Sequence, residues 1–296
     1  MPRVLDSHIH MYPPEVFQDP VAWGAAHREP WWTYCVAPPH QPTLQGWADL
    51  PRLLRDMDAA GIEKCVMLGW YWEQQETCEL QNQWFIDWTR QHPDRLLGFA
   101  TVQPNSGQRG LDNVTRALDA GLCGLGELLP QAQHFTFRDE CWARVVALAT
   151  ERRVPINLHV TDPLGYQPGS TTQPTPLEDY ILLARTFPDT NFILAHWGGG
   201  IPFYELSPKL KPVLKNVYYD TAASPLLYDP AVFRRVVDLI GKDRILFGTD
   251  YPLLCYPRLT REPDLARQLA ESRTGLDAAE LEAVLGGNLL RLLRKA

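Results

Sequence analysis

The 296-residue chain contains no uninterrupted apolar run approaching the roughly 18 residues that span a bilayer, which argues against a helical membrane protein. It lacks a charged leader followed by a long apolar stretch, so no signal peptide is expected. It lacks a basic stripe as well. Charged residues make up 21%, and the net charge of -7 is spread rather than blocked. That argues against a nucleic-acid surface and favours a soluble protein. The six cysteines (35, 65, 78, 123, 141 and 255) form no Cys-x-x-Cys and no framework spacing. A reduced, cytoplasmic setting follows as the expectation, with Cys65 and Cys123, in apolar runs, read as buried thiols. There is no internal repeat, low-complexity tract or clear linker, so residues 1–296 read as a single domain. No Gly-x-Gly-x-x-Gly follows the first apolar run, which weakens a doubly wound dinucleotide fold. Gly124-Leu125-Gly126 runs into Glu127 and is not a dinucleotide loop.

What is present is a hydrophobic fraction of 45%, ample for a large core. Strand-like runs recur near residues 3–8, 64–69, 96–102, 122–128, 154–159, 191–196, 216–221 and 244–249. Most are continuously apolar, as expected for parallel strands buried on both faces. Helical patterns separate them over 50–61, 79–91, 111–120, 139–151, 177–186 and 230–240. A last helix is expected over 277–293, with Asp277 and Glu280 placed as a capping box. Strands alternating with helices at this length predict an α/β protein, a (β/α)8 TIM barrel. The 26 prolines mark loops. The longest, from Met11 to Trp47, carries Tyr12, Phe17, Trp23, Trp31, Trp32 and Tyr34 and is expected to lie over the barrel mouth as a lid without elements of its own. The loop Thr161–Pro176 lies on the same face.

The chemistry sits at the strand ends. In Val4-Leu5-Asp6-Ser7-His8-Ile9-His10, side chains two apart share a face, so His8 and His10 project together where the strand gives way to its loop. His159 ends the fifth strand, His196 the sixth and Asp250 the eighth. In a parallel barrel all five converge on one rim, and imidazole with carboxylate suits a divalent metal such as zinc. His8, His10, His159 and Asp250 are the expected ligands. Asp250 could also take a proton from metal-bound water. His196 reads either as a second-metal ligand or as a free acid/base. Glu127, ending the fourth strand, could bridge a second metal, orient a water or hold a substrate group. No lysine stands at a strand C-terminal end to do this as a carbamate, since Lys64 begins its strand. Asp6 reads as a partner of a ligand imidazole or as a buried hydrogen-bonded carboxylate. Asp220 has the right location and an open role. Trp70, Tyr71, Trp72 and Trp197 are candidates to line a substrate pocket or to pack beneath loops. Arg28, Arg52 and Arg258 are candidates for a substrate carboxylate. Among the remaining histidines only His27, in the lid, draws attention.

Together, Asp6-Ser7-His8-Ile9-His10, His159, Ala195-His196-Trp197-Gly198-Gly199, Phe247-Gly248-Thr249-Asp250-Tyr251-Pro252 and Gly286-Gly287-Asn288-Leu289-Leu290-Arg291-Leu292-Leu293 resemble the amidohydrolase superfamily. They look most like its amidohydrolase-related branch that includes aminocarboxymuconate-semialdehyde decarboxylase. The resemblance covers essentially the whole chain. It implies a metal-dependent barrel, with zinc or another divalent ion, one or two per chain, on His8, His10, His159 and Asp250, and His196 as the catalytic imidazole. It does not settle the reaction, because the branch holds hydrolases, decarboxylases and hydratases. Glu127 departs from the decarboxylases and tilts the expectation toward a hydrolase of a small amide, ester or lactone. A non-oxidative decarboxylase of an unsaturated or aromatic acid is the alternative, and a barrel that has lost its chemistry the third. The expected partner is a small molecule, with neither nucleic acid nor membrane. If the chain self-associates, a homodimer is the commonest assembly.

Overall fold

Residues 2–40, 42–162 and 174–294 are described by a computed structural model. Among the described residues there are eight short strands: β1 (Leu5–Ile9), β2 (Lys64–Met67), β3 (Leu96–Gly98), β4 (Leu125–Leu128), β5 (Ile156–Leu158), β6 (Phe192–Leu194), β7 (Val217–Asp220) and β8 (Ile245–Leu246). All neighbouring pairs are parallel. They form a three-stranded sheet, β1-β2-β3, and a five-stranded sheet, β4-β5-β6-β7-β8. Two seams join them. Ala100 bridges to Leu125, and Ile9 to Tyr251. The Ser7 amide donates to the Phe247 carbonyl at 2.8 Å and the His10 amide to that of Tyr251 at 2.7 Å.

The period of two along each strand divides the core. Leu5, Val66, Leu68, Ile193 and Leu246 pack together on one side with Leu289 and Leu292 of the last helix. Cys65 and Met67, the alternate residues of β2, face the other way and meet Met57 and Phe85 from the helical layer. Helices lie between the strands and after β8: α4 (Leu50–Ala60), α5 (Gln75–Gln91), α6 (Gln108–Asp119), α7 (Pro130–Gln133), α8 (Glu140–Glu151), α9 (Leu177–Thr186), α10 (Ser224–Leu227), α11 (Val232–Ile240) and α12 (Leu265–Glu271). Local chemistry sets their ends. Asp49 caps α4 by accepting from the Arg52 amide, and Gly61, with φ of 73°, closes it in the left-handed region that glycine tolerates. Among the described residues, no helix is long and apolar enough to cross a membrane. All six cysteines are free; Cys65 is buried and Cys123 half-buried.

Two expectations are corrected. The Met11–Trp47 segment has elements of its own, α1 (Pro14–Phe17), α2 (Pro20–His27) and α3 (Pro30–Val36). Each begins on a proline, whose fixed φ and missing N–H suit the first helical turn. Prolines read as loop markers were helix starts. The segment's aromatics form a cluster rather than an open sheet of rings: Tyr12, Trp23, Trp32 and Trp47 close around Trp72 or one another. The second correction concerns the C-terminus. The expected helix 277–293 starts with its capping box on Asp277 and Glu280 but breaks into α13 (Ala278–Glu282), a wider turn, and α14 (Asn288–Arg294). The break falls at Gly286, where a Cβ would stand 2.6 Å from Leu5 Cδ1, so the backbone there presses against β1. Of the expected loop Thr161–Pro176, residues 163–173 lie outside the described residues.

Candidate active site

β1 carries His8 inward and His10 follows its last residue, and the loops after β5, β6 and β8 bring His159, His196 and Asp250 to the same place. Glu127 comes from within β4. Ligating atoms of all six residues group within 4.8 Å of one another in three overlapping triads: His8, His10 and Glu127; His8, His196 and Asp250; Glu127, His159 and His196. The five strand-end groups and Glu127 thus stand together in one cluster.

The backbone is shaped for this. His196, Trp197 and Asp250 all have left-handed φ, between 57° and 64°. Non-glycine residues adopt that region only where their surroundings impose it. The amide of His196 donates to Asp220 Oδ1 at 3.1 Å, and that of Asp250 to the His8 carbonyl at 2.9 Å. At Gly126, φ is 120° and a Cβ would lie 2.3 Å from the Asn157 carbonyl oxygen. Only glycine lets β4 approach β5 closely enough to place Glu127.

Outer hydrogen bonds aim the rings. His8 Nδ1 lies 2.9 Å from Asp220 Oδ2, so Nδ1–H donates and Nε2 faces the cluster. His10 Nδ1 lies 3.3 Å from the Leu68 carbonyl, which only accepts, and its Nε2 is turned inward too. The two Nε2 atoms face each other at 3.2 Å. Two lone pairs at that distance repel unless a positive charge, a proton or a metal ion, sits with them. Glu127 stands among four imidazoles: His159 Nδ1 at 2.9 Å, His10 and His196 Nε2 at 3.5 Å, and His8 Nε2 at 3.9 Å. Asp250 Oδ1 is 3.5 Å from His10 Nε2 and 3.7 Å from His8 Nε2.

Protonation follows from this crowding. Burial opposes charge on His8, but Asp220, Glu127 and Asp250 outweigh it and raise its pKa to about 10. Burial opposes charge on His196 as well; Glu127 and Asp250 raise it to about 9. Burial dominates at His159 and lowers its pKa. Glu127 and Asp220 are held below the usual carboxylate range, against the burial that would raise them, by the imidazoles around them. Three carboxylates thus surround a cluster into which no lysine or arginine projects among the described residues. The donor set fits a divalent ion: imidazole and carboxylate, orienting partners in place, and a negative surplus that needs a cation.

The structure distributes the remaining candidates differently. Trp70 and Tyr71 line a cavity of about 190 Å³ above the cluster, with their rings 5.2 Å from that of His10 and 5.5 Å from that of His159, respectively. Trp72 is fully buried, donates its indole N–H to Gln81 and packs under the lid helices. Trp197 is also buried, donating to Ser224 Oγ at 2.9 Å and packing edge-on to Phe233. Neither lines the cavity. Arg28 is exposed at the C-terminus of α2, and Arg258 is exposed too. Arg52 pairs with Asp56 and Glu262. None of the three arginines reaches the cavity. His27 stacks on Trp23 at 3.9 Å within the lid. Asp6 takes the second of its two readings: it accepts from the Thr249 hydroxyl and amide and from the His8 amide, stitching β1 to the β8 loop rather than orienting a ring. Asn157 was not anticipated. It stands two residues before His159, on the same strand face, and donates to Asp220 Oδ2 at 3.0 Å.

A family model described as Amidohydrolase matches residues 5–295, and the chain belongs to that family. Solved structures share its fold over almost the whole length. The 5-carboxyvanillate decarboxylase of Sphingomonas paucimobilis is 15% identical, with a TM-score of 0.75 and 99% of each chain covered. The 2,6-dihydroxybenzoate decarboxylase from Rhizobium is 18% identical, with a TM-score of 0.68 and 99% of each chain covered. The 5-carboxyvanillate decarboxylase of Novosphingobium aromaticivorans, complexed with manganese, is 14% identical, with a TM-score of 0.74 and coverage of 99% of this chain and 96% of that one. Family and cluster together define a metal-dependent enzyme, a hydrolase or a lyase.

Proposed function

We propose that this protein is a metal-dependent, non-oxidative decarboxylase of a single-ring aromatic or unsaturated carboxylic acid. The observation that carries this reading is the cavity itself: two aromatic rings, Trp70 and Tyr71, lying against each other at 4.3 Å, line it beside the six-residue cluster. Flat rings favour a flat conjugated ligand, held with its carboxyl toward the cluster. The decarboxylases that share the fold support it. We read the strands as one closed (β/α)8 barrel in a single domain, supported by the bridges along both seams.

In this reading His8, His10, His159 and Asp250 hold the ion, with zinc and manganese the two to compare. When bound, a divalent ion supplies Lewis acidity to the substrate's oxygens. The chain does the rest. Trp70 and Tyr71 fix the plane of the ring. His196, its Nδ1 set by the Ala222 carbonyl at 3.1 Å, holds a proton near neutral pH and delivers it to the ring carbon. The carbon–carbon bond to the carboxyl breaks, its electron pair stays on the ring carbon that takes the proton, and CO2 leaves. In deuterated water one deuterium is expected at the former carboxyl position of the product, read by mass spectrometry. Deuterium absent from a product whose carboxyl is gone would remove His196 and solvent from the proton path.

Hydrolysis of a small amide, ester or lactone, placed first on the sequence alone, stands as the second reading. Glu127 favours it, because a carboxylate among four imidazoles suits a second ion. Uptake of labelled oxygen from water into the product identifies that outcome.

A further inference from the structure

Two hollows meet at the cluster. The first is the aromatic cavity of about 190 Å³ already described. The second, about 240 Å³, is walled by Val160, Ala223, Leu226 and Leu227, with Thr161 and Asp162 at its side. His159, His196, Asp250 and Leu253 line both. The reacting centre therefore lies between the hollows and not at the closed end of one. A plain ring acid, with its ring in the first hollow and its carboxyl on the cluster, leaves the second unused.

That second hollow is built. Leu226 and Leu227 end the short helix α10 (Ser224–Leu227) that follows β7, and both are only half-buried. The helix is pinned at its start, where Ser224 accepts from the buried Trp197 indole. Just beyond its end, the Tyr228 hydroxyl donates to Asp162 at 3.1 Å. This gives the buried Trp197 a purpose without substrate contact: it anchors the wall. Among the described residues no lysine or arginine lines either hollow. A largely apolar wall with the Asp162 carboxylate beside it and no cation rejects a second carboxylate, whose desolvation would go uncompensated, and favours hydrocarbon. A cavity of about 150 Å³ suffices for benzene, so this one takes a short alkyl chain or one ring.

The geometry points to a two-armed substrate: a planar ring against Trp70 and Tyr71, the reacting carboxyl at the cluster, and an uncharged alkyl or aryl group attached beside that carboxyl and seated on Leu226 and Leu227. These two leucines are then specificity-determining residues. The acid rests on the decarboxylase reading. The second arm does not, because an amide or ester sends its other arm the same way.

The test is equilibrium binding to the metal-loaded protein by calorimetry, with two probe series: 2-alkylbenzoates from methyl to butyl, and N-alkylbenzamides with the same chains. Affinity is expected to rise about fourfold per added methylene. Leu227→Asp should flatten that rise. Leu226→Ala with Leu227→Ala should shift the tightest binder to a longer chain, which damage to the fold would not do. A rise among the benzamides alone keeps the two-armed substrate and removes the acid. Chain-independent affinity or no binding in both series, or a rise unchanged in Leu227→Asp, overturns the proposal.

Discussion

Asp220 lines neither hollow, yet it decides where the cluster points. Oδ2 accepts from the His8 ring and from Asn157, and Oδ1 from the amides of His196 and Ala222. One buried carboxylate thus orients a ligand ring and holds the left-handed turn that presents His196. Partners of this kind are worth about 10- to 100-fold in metal affinity. Asp220→Ala is expected to weaken metal binding by that amount in a calorimetric titration; unchanged affinity would mean that packing alone orients His8. Glu127 separates the two reactions at the same scale. Elemental analysis is expected to find one ion per chain in wild type and in Glu127→Ala if the enzyme decarboxylates. Two ions falling to one would favour hydrolysis. The site was legible at this scale where alternation along a strand carries the information, as for His8 and His10, or where an apolar run ends in a ligand, as for His159, His196 and Asp250. The role of Asp220 was not legible, because its partner His8 is 212 positions away. Nor could Trp70 be told from Trp72. Both follow β2, and which one faces the cavity depends on how the lid helices pack.

At the scale of elements, the ends of β6, β7 and β8 are tied by a buried ion pair. Arg244, just before β8, binds Glu205 in the helical turns after β6. Tyr219 of β7 donates to the same carboxylate at 2.8 Å, and Arg244 also reaches the Leu214 and Val217 carbonyls at 2.9 Å. Glu205→Ala leaves a largely buried guanidinium without its counter-charge, which costs about 3–5 kcal/mol. Denaturant unfolding should show that loss; a change well under 1 kcal/mol would mean that water replaces the carboxylate. Element boundaries were legible where caps and periodicity agree. The span 177–186 matches α9, and the capping box at Asp277 starts α13. They were not legible where tertiary contact overrides the pattern. The apolar period continues through Gly286, but the press of that segment against Leu5 breaks the helix. The lid helices were missed because each is short and opens on proline, so its sequence reads as loop.

For the whole molecule, the cluster couples ion binding to stability and pH. Without an ion, His8 and His196 carry protons with pKa values raised from an ordinary 6.5 to about 10 and about 9. A raised imidazole pKa stabilises the fold fully below about pH 6.5, and that contribution is lost as pH climbs through 9 to 10. Asp6 and Glu29, pushed up to about 7 by burial, lie at the lower edge of this window. Chelated protein should therefore lose melting temperature between about pH 7 and 10. An ion takes the place of the proton on the ligand His8, while His196, outside the ligand set, keeps its own, so ion affinity rises with pH. At 100 times its dissociation constant it adds about 2.7 kcal/mol. Loaded protein should lose less melting temperature across the same window; parallel curves with and without chelator would show that the ion binds elsewhere.

The most direct single measurement is CO2 released by the metal-loaded protein from 2-substituted aromatic acids, with and without a chelator. CO2 is expected in equal amount to the decarboxylated arene, lost on chelation and restored by manganese or zinc. No CO2 from any such acid, while amides or esters of the same ring are cleaved, would contradict the decarboxylase reading.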